Sequence, residues 1–168
     1  MNEDLSEESF TLLCWEILGN ISWKFGLNES KIKLKIDNNM NYSMFAKAIS
    51  PNKYVLILNY DRLKNSPKED LIGIVAHECG HFEKYKTQNI IDIWLGKIIY
   101  RISKKFREKN EKGADVSAIK KGFGKELLST RLKLENENSY FKKRAEIYLT
   151  SEEIKSEIEK LKNDNPRN

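Results

Sequence analysis

Two histidines and two cysteines are all that 168 residues provide of the usual soft metal ligands. Cys14 and Cys79 stand far apart on segments that both read as helix, so no disulfide framework is expected and a reducing compartment fits best. No internal repeat or low-complexity linker interrupts the chain. Long hydrophobic runs are missing too. The longest apolar block, Ile90 to Ile102, is broken by Asp92 and Lys97 and is too short to span a bilayer. The acidic opening Met1-Asn2-Glu3-Asp4 is followed by no basic-then-apolar stretch, so no secretory leader is expected. These absences predict a soluble, cytoplasmic protein.

What is present suffices for one domain over 1-168, with a core from about 5 to 147 and a C-terminal helix and tail over 148-168. Hydrophobic residues make up 39% of the chain and fall in periodic blocks between charges that make up 33%, which predicts a folded body with frayed ends. The net charge of +5 is mild, but Arg101 to Lys125 carries nine basic residues against three acidic. Such a run can contact nucleic acid or an anionic membrane surface; without aromatic interleaving or a nucleic-acid motif, a solvated helix face is the expected reading.

Apolar spacing predicts a first helix from Leu5 to about Trp23, with Ser6 or Ser9 as cap. Lys31 to Asp37 alternates as a half-buried strand, with Asn38-Asn39 as turn residues, and Met44 to Ile49 and Tyr54 to Leu58 supply two more strands. We expect a small three-stranded antiparallel sheet packed on about four to five helices, an α+β fold. A long helix should start with Ser66 as N-cap, Pro67 at the first helical position and Glu69 completing a capping box, and run to about Tyr85. Gly80 inside it implies a neighbour at close approach. Ile90 to about Lys109 and Glu111 to about Leu134 read as further helices, the latter broken near Gly122 and Gly124. A tail helix from Thr150 to Leu161 opens on a second box, Thr150 with Glu153.

Both histidines fall in one run, Ile74-Val75-Ala76-His77-Glu78-Cys79-Gly80-His81-Phe82. Four residues apart on a helix, His77 and His81 share a face and can take one metal ion. Catalytic zinc takes three protein ligands, so a carboxylate or a cysteine must complete the set. Glu111 and Asp115 are also four apart, and one of them can bind metal while the other accepts a hydrogen bond from a ligating imidazole. Glu78 points about 100° around the helix from His77, out of the ligand set but within reach of an attacking water, and is the candidate general base. Cys79 reads as a small buried hydrophobe.

With these residues in place the chain resembles the gluzincin zinc peptidases, specifically the family of prenyl-protein-processing and heat-shock membrane proteases with its short soluble minigluzincins. His77-Glu78-Cys79-Gly80-His81, Glu111-x-x-Ala114-Asp115-x-x-Ala118 and a weaker segment Tyr140-Phe141-Lys142-Lys143-Arg144 carry the resemblance, over roughly residues 40 to 147. It implies a zincin-like domain with an active-site helix and a glutamate helix, one Zn2+ on His77, His81 and Glu111, Glu78 as base, and Asp115 supporting a ligand histidine. It also implies an edge strand that pairs with extended peptide or protein substrate, for which Tyr42, Ser43, Met44, Phe45 and Ala46 are the nearest match. Larger members carry membrane-spanning helices that this chain lacks. Members also often place a histidine near the developing oxyanion; none is left here, so Arg144, or Tyr140, would fill that role. The expected function is a soluble zinc metalloendopeptidase of narrow or latent activity. The alternative is a weakly active or inactive zinc-bearing regulatory or interaction protein that uses its basic 101-125 surface. The tail helix, or residues 162-168 beyond it, can lie across the cleft as an inhibitor or pack on the rear of the domain, and the rear is expected.

Overall fold

A computed structural model describes residues 5-136 and 146-164. Helix α1 (Glu7–Ser22) begins where the Ser6 hydroxyl accepts the Ser9 N–H at 3.2 Å. It buries Phe10, Cys14, Ile17, Leu18 and Ile21, the stripe that its sequence spacing sets. Gly26, at φ 63°, ends the turn that follows and frees the chain to enter the sheet.

The three strands lie where alternation places them: β1 (Ile32–Ile36), β2 (Met44–Ser50) and β3 (Lys53–Leu58). Their pairing corrects the antiparallel expectation. The order is β1-β3-β2, with β2 antiparallel to β3 but β1 parallel to it, so the sheet is mixed. The reason lies at Asn38. Its carboxamide oxygen accepts the Tyr60 N–H at 2.8 Å, while the Asn59 side chain donates to the carbonyls of Asn38 and Met40. Residues 37–43 are thereby tied across the end of β3 and do not turn back as a hairpin. Tyr54, Leu56 and Leu58 point from the central strand into the core, and the Tyr54 ring lies tilted against Phe82 of the next long helix, centroids 4.8 Å apart.

After a short helix α2 (Tyr60–Leu63), that helix, α3 (Lys68–Lys86), crosses the sheet. Pro67, at ψ 151°, is its N-cap, and no side-chain cap forms, so the box expected from Ser66 and Glu69 is absent. Asp70 in the first turn instead accepts from Ser129 at 2.8 Å and pairs with Lys133, tying α3 to a later helix. Two glycines set how close α3 comes to its neighbours. A methyl at Gly80 would lie 2.7 Å from the Ala114 carbonyl, and one at Gly73 would lie 2.6 Å from that of Glu126.

The stretch expected as one helix to Lys109 is two, α4 (Ile90–Ile102) and α5 (Lys104–Ala118). Ser103 separates them: extended at φ −113°, it ends α4, and its hydroxyl accepts the Phe106 N–H to start α5. A π-helical segment, Ile119–Phe123, holds Gly122 at φ 93° and delivers α6 (Gly124–Asn136). Helix α7 (Ser151–Asp164) opens on the expected box, Thr150 N–H to Glu153 at 2.8 Å and Glu153 N–H to Thr150 at 3.1 Å. It packs on α6, the π segment and α5, with Ile154 buried and Ile158 against Gly124. The result is an α+β architecture, mostly helical with one small sheet.

Candidate metal centre

Helix α3 turns His77 and His81 the same way, their ring centroids 4.8 Å apart and their planes nearly perpendicular. Helix α5, drawn close by Gly80, brings Glu111 between them. Glu111 Oε2 lies 3.1 Å from His77 Nε2 and 3.3 Å from His81 Nε2. One ligand atom from each of the three lies within 4.8 Å of the others, and all three residues are buried, so the group can hold a metal ion. The donor set, two imidazole nitrogens and one carboxylate, suits zinc with a position left for water.

Around this triad the partners are also fixed. Asp115, fully buried, sits 2.7 Å from His77 Nδ1 and so orients that ring with Nε2 towards Glu111. The other Glu111 oxygen accepts the Tyr100 hydroxyl of α4 at 2.6 Å. Asn110, engaged by Lys84, approaches His81 Nδ1 at 3.4 Å. Burial alone would lower the pKa of His77, but the charge and hydrogen bond of Asp115, with Glu111, outweigh it and push the metal-free ring up to about 10. Glu111 shows the converse balance. Burial raises its pKa, and the two imidazoles overcome this, holding it well below 4.5.

Glu78 lies beside the triad, buried, with its pKa raised chiefly by desolvation and drawn back by His77, His81 and a backbone hydrogen bond with Ala46. That bond locates β2. Asn59 N–H donates to the Ser43 carbonyl, so by antiparallel alternation Phe45 and Lys47 bond inward to β3, and Met44, Ala46 and Ala48 present backbone groups to the outer edge. Tyr42, Ser43 and Met44 wall a cavity of ≈ 140 Å³ that His77 and Glu78 also line. Phe45 points to the opposite face of the sheet and is exposed.

Tyr100 and Asn110 escaped the sequence reading, and so did Arg131 and Tyr148. Arg131 of α6, 4% exposed, donates to Asp115 at 3.2 Å. Its signal was a lone cation within the apolar spacing Leu127, Arg131, Leu134, where an ordinary core helix would place another hydrophobe. Tyr148, assigned from sequence to the tail, packs its ring 5.5 Å from that of His77 and 4.5 Å from the Arg131 guanidinium. Burial, then Glu111 and Glu78, hold its hydroxyl well above 10, so it stays a donor. Next to it the Leu149 N–H donates to Asp115 at 2.9 Å. Arg144 and Tyr140 lie outside the described residues.

Both cysteines are free and buried. Desolvation pushes Cys14 up to about 12 and raises Cys79 further, which fits inert thiols. None of the residues 151–164 lines the cavity. The basic run is divided by partners: Lys104 with Glu146, Lys112 with Glu153 and Lys121 with Glu83. Compared with protein-family profiles, curated proteins and solved structures, the chain matches none.

Proposed function

We propose that this chain is a zinc-dependent metalloendopeptidase of the gluzincin kind. The observation that carries the reading is the convergence of Glu111 Oε2 on both imidazoles at 3.1 and 3.3 Å, with Glu78 lining the adjoining cavity. Zinc on His77, His81 and Glu111 would supply Lewis acidity towards a peptide carbonyl and the attacking water. The rest falls to the chain itself.

Glu78 accepts the proton of the attacking water and passes it to the departing amine. Its raised pKa suits both halves of that transfer. Asp115 holds the His77 tautomer, and Arg131 with the Leu149 N–H holds Asp115. Tyr148 takes the oxyanion-stabilising role for which no histidine remains; it lines the same cavity as His77 and Glu78 and keeps its proton. The outer edge of β2 binds extended peptide through those of its backbone groups that Glu78 and Lys97 do not already engage, and Ile74, Leu127 and Leu134 give the cavity an apolar wall for a side chain.

The test pairs zinc content with cleavage of a broad peptide panel, for wild type and Glu78→Gln. Zinc in both and cleavage by wild type alone is expected. Zinc in both with equal cleavage overturns the mechanism, and zinc with no cleavage by either favours the regulatory alternative.

A further inference from the structure

Helix α4 is built inside out. Its inward side presents Ile93, Gly96, Lys97 and Tyr100, while Ile90, Ile91, Trp94, Leu95, Ile98 and Ile102 stand outward, each at least half exposed. At 100° per residue these six fall on an arc about 140° wide. Among the described residues nothing covers them, and such a face exceeds the scattered apolar exposure of ordinary soluble proteins. The helix is nevertheless anchored to the body. Lys97 reaches the Ala48 carbonyl at 2.9 Å and Tyr100 reaches Glu111 at 2.6 Å. The outward residues are therefore set by that docking.

We propose that α4 is an interfacial anchor that lays the domain on an anionic membrane surface. No helix of the described residues is long and apolar enough to cross a membrane, but a 13-residue helix with one apolar face has the form that lies within the headgroup boundary. Trp94, 63% exposed, sits in the middle of that face, where an indole favours the polar-apolar boundary. The charges select the occupant. Arg101, Lys104, Lys105 and Arg107 cluster at the C-terminal end of α4, Lys104 paired with Glu146 and Arg107 donating to the Tyr100 and Arg101 carbonyls, with Asp92 the one acidic residue in the helix itself. Anionic headgroups attract that cluster. A second copy in parallel would set the same cations against themselves, and an antiparallel copy would offer them from its own α4 only that aspartate. Phe45 and Ile49, exposed on the strand beside α4, add apolar area. Because Tyr100 touches Glu111, anchoring α4 also holds the metal centre close to the bilayer.

The experiment is flotation of the full-length protein with phosphatidylcholine vesicles, pure or carrying about a quarter phosphatidylglycerol. Wild type should float with the anionic vesicles, weakened but not abolished by high salt. Ile98→Glu with Ile102→Glu should reduce binding at least about tenfold while zinc content and circular dichroism stay unchanged. With Trp15→Phe and Trp23→Phe, the remaining Trp94 should shift to the blue on binding and be quenched by brominated lipid. The proposal is overturned if wild type stays with the soluble fraction, if the double glutamate variant floats equally, or if Trp94 emission does not respond. It is also overturned by a concentration-dependent dimer lost in that variant without vesicle binding, which assigns the face to a second copy. None of these readouts depends on proteolysis.

Discussion

The facing sides of α3 and α5 and the outer side of α4 invert the usual distribution of residues in opposite ways. Between α3 and α5 lie two imidazoles and three carboxylates, each buried to 7% exposure or less, with His77 held by Asp115, Asp115 by Arg131 and Glu111 by Tyr100. On α4 large aliphatic side chains and a tryptophan stand in water. Buried charge is costly unless paired, and exposed hydrophobe is wasted unless covered. The first region has its partners within the chain, which is why it reads as a finished site. The second has none among the described residues, which is why it points outward to a surface.

The largest expected effect is on the reaction. Glu78→Gln should lower kcat/KM by about 10²- to 10⁴-fold with zinc retained, measured by peptide cleavage beside metal analysis. Next comes the buried frame. Asp115→Ala leaves Arg131 without its carboxylate and frees the His77 ring, so zinc affinity should fall about 10- to 100-fold in chelator competition. The same variant should lose about 3–5 kcal/mol in urea denaturation, and a loss near zero would break the claim that this cluster is held by internal pairing.

Protonation sharpens the same contrast. In the metal-free protein His77 is raised from 6.5 to about 10 by Asp115 and Glu111, so its stabilising contribution is complete below about pH 6.5 and lost as pH rises towards 10. Glu111, depressed, contributes above about pH 4.5 and loses its contribution as pH falls below that. A metal ion taken up by His77 would have to expel its proton. At pH 7 binding should release about one proton per metal, read by calorimetry in buffers of different ionisation enthalpy. Smaller still, Gly80→Ala should cost about 1–3 kcal/mol, because its methyl meets the Ala114 backbone. Ile98→Glu should change stability by no more than about 0.5 kcal/mol, the result that separates an exposed face from a core one.

Local spacing made the metal pair legible: His77 with His81, and Glu111 with Asp115, share faces by helical period alone, and the structure brings both pairs together. The strand positions followed from alternation for the same reason. Strand direction did not, since alternation reports which side a residue faces and carries no information on its neighbour's polarity; the Asn38 and Asn59 bonds that decide it act across about twenty residues. Ser103 was hidden because one small polar residue fits inside an apolar period, although here it caps α5. Asp70 replaced an expected local cap with partners on α6, and Arg131 is tied to Asp115 from another helix, contacts that no window of sequence displays.

X-ray absorption at the zinc edge of the purified, zinc-loaded protein tests the central claim most directly. One zinc per chain with two imidazoles and oxygen donors in its first shell is expected, and loss of that signal in Glu111→Ala. A first shell containing sulfur, or zinc bound unchanged without Glu111, would contradict it.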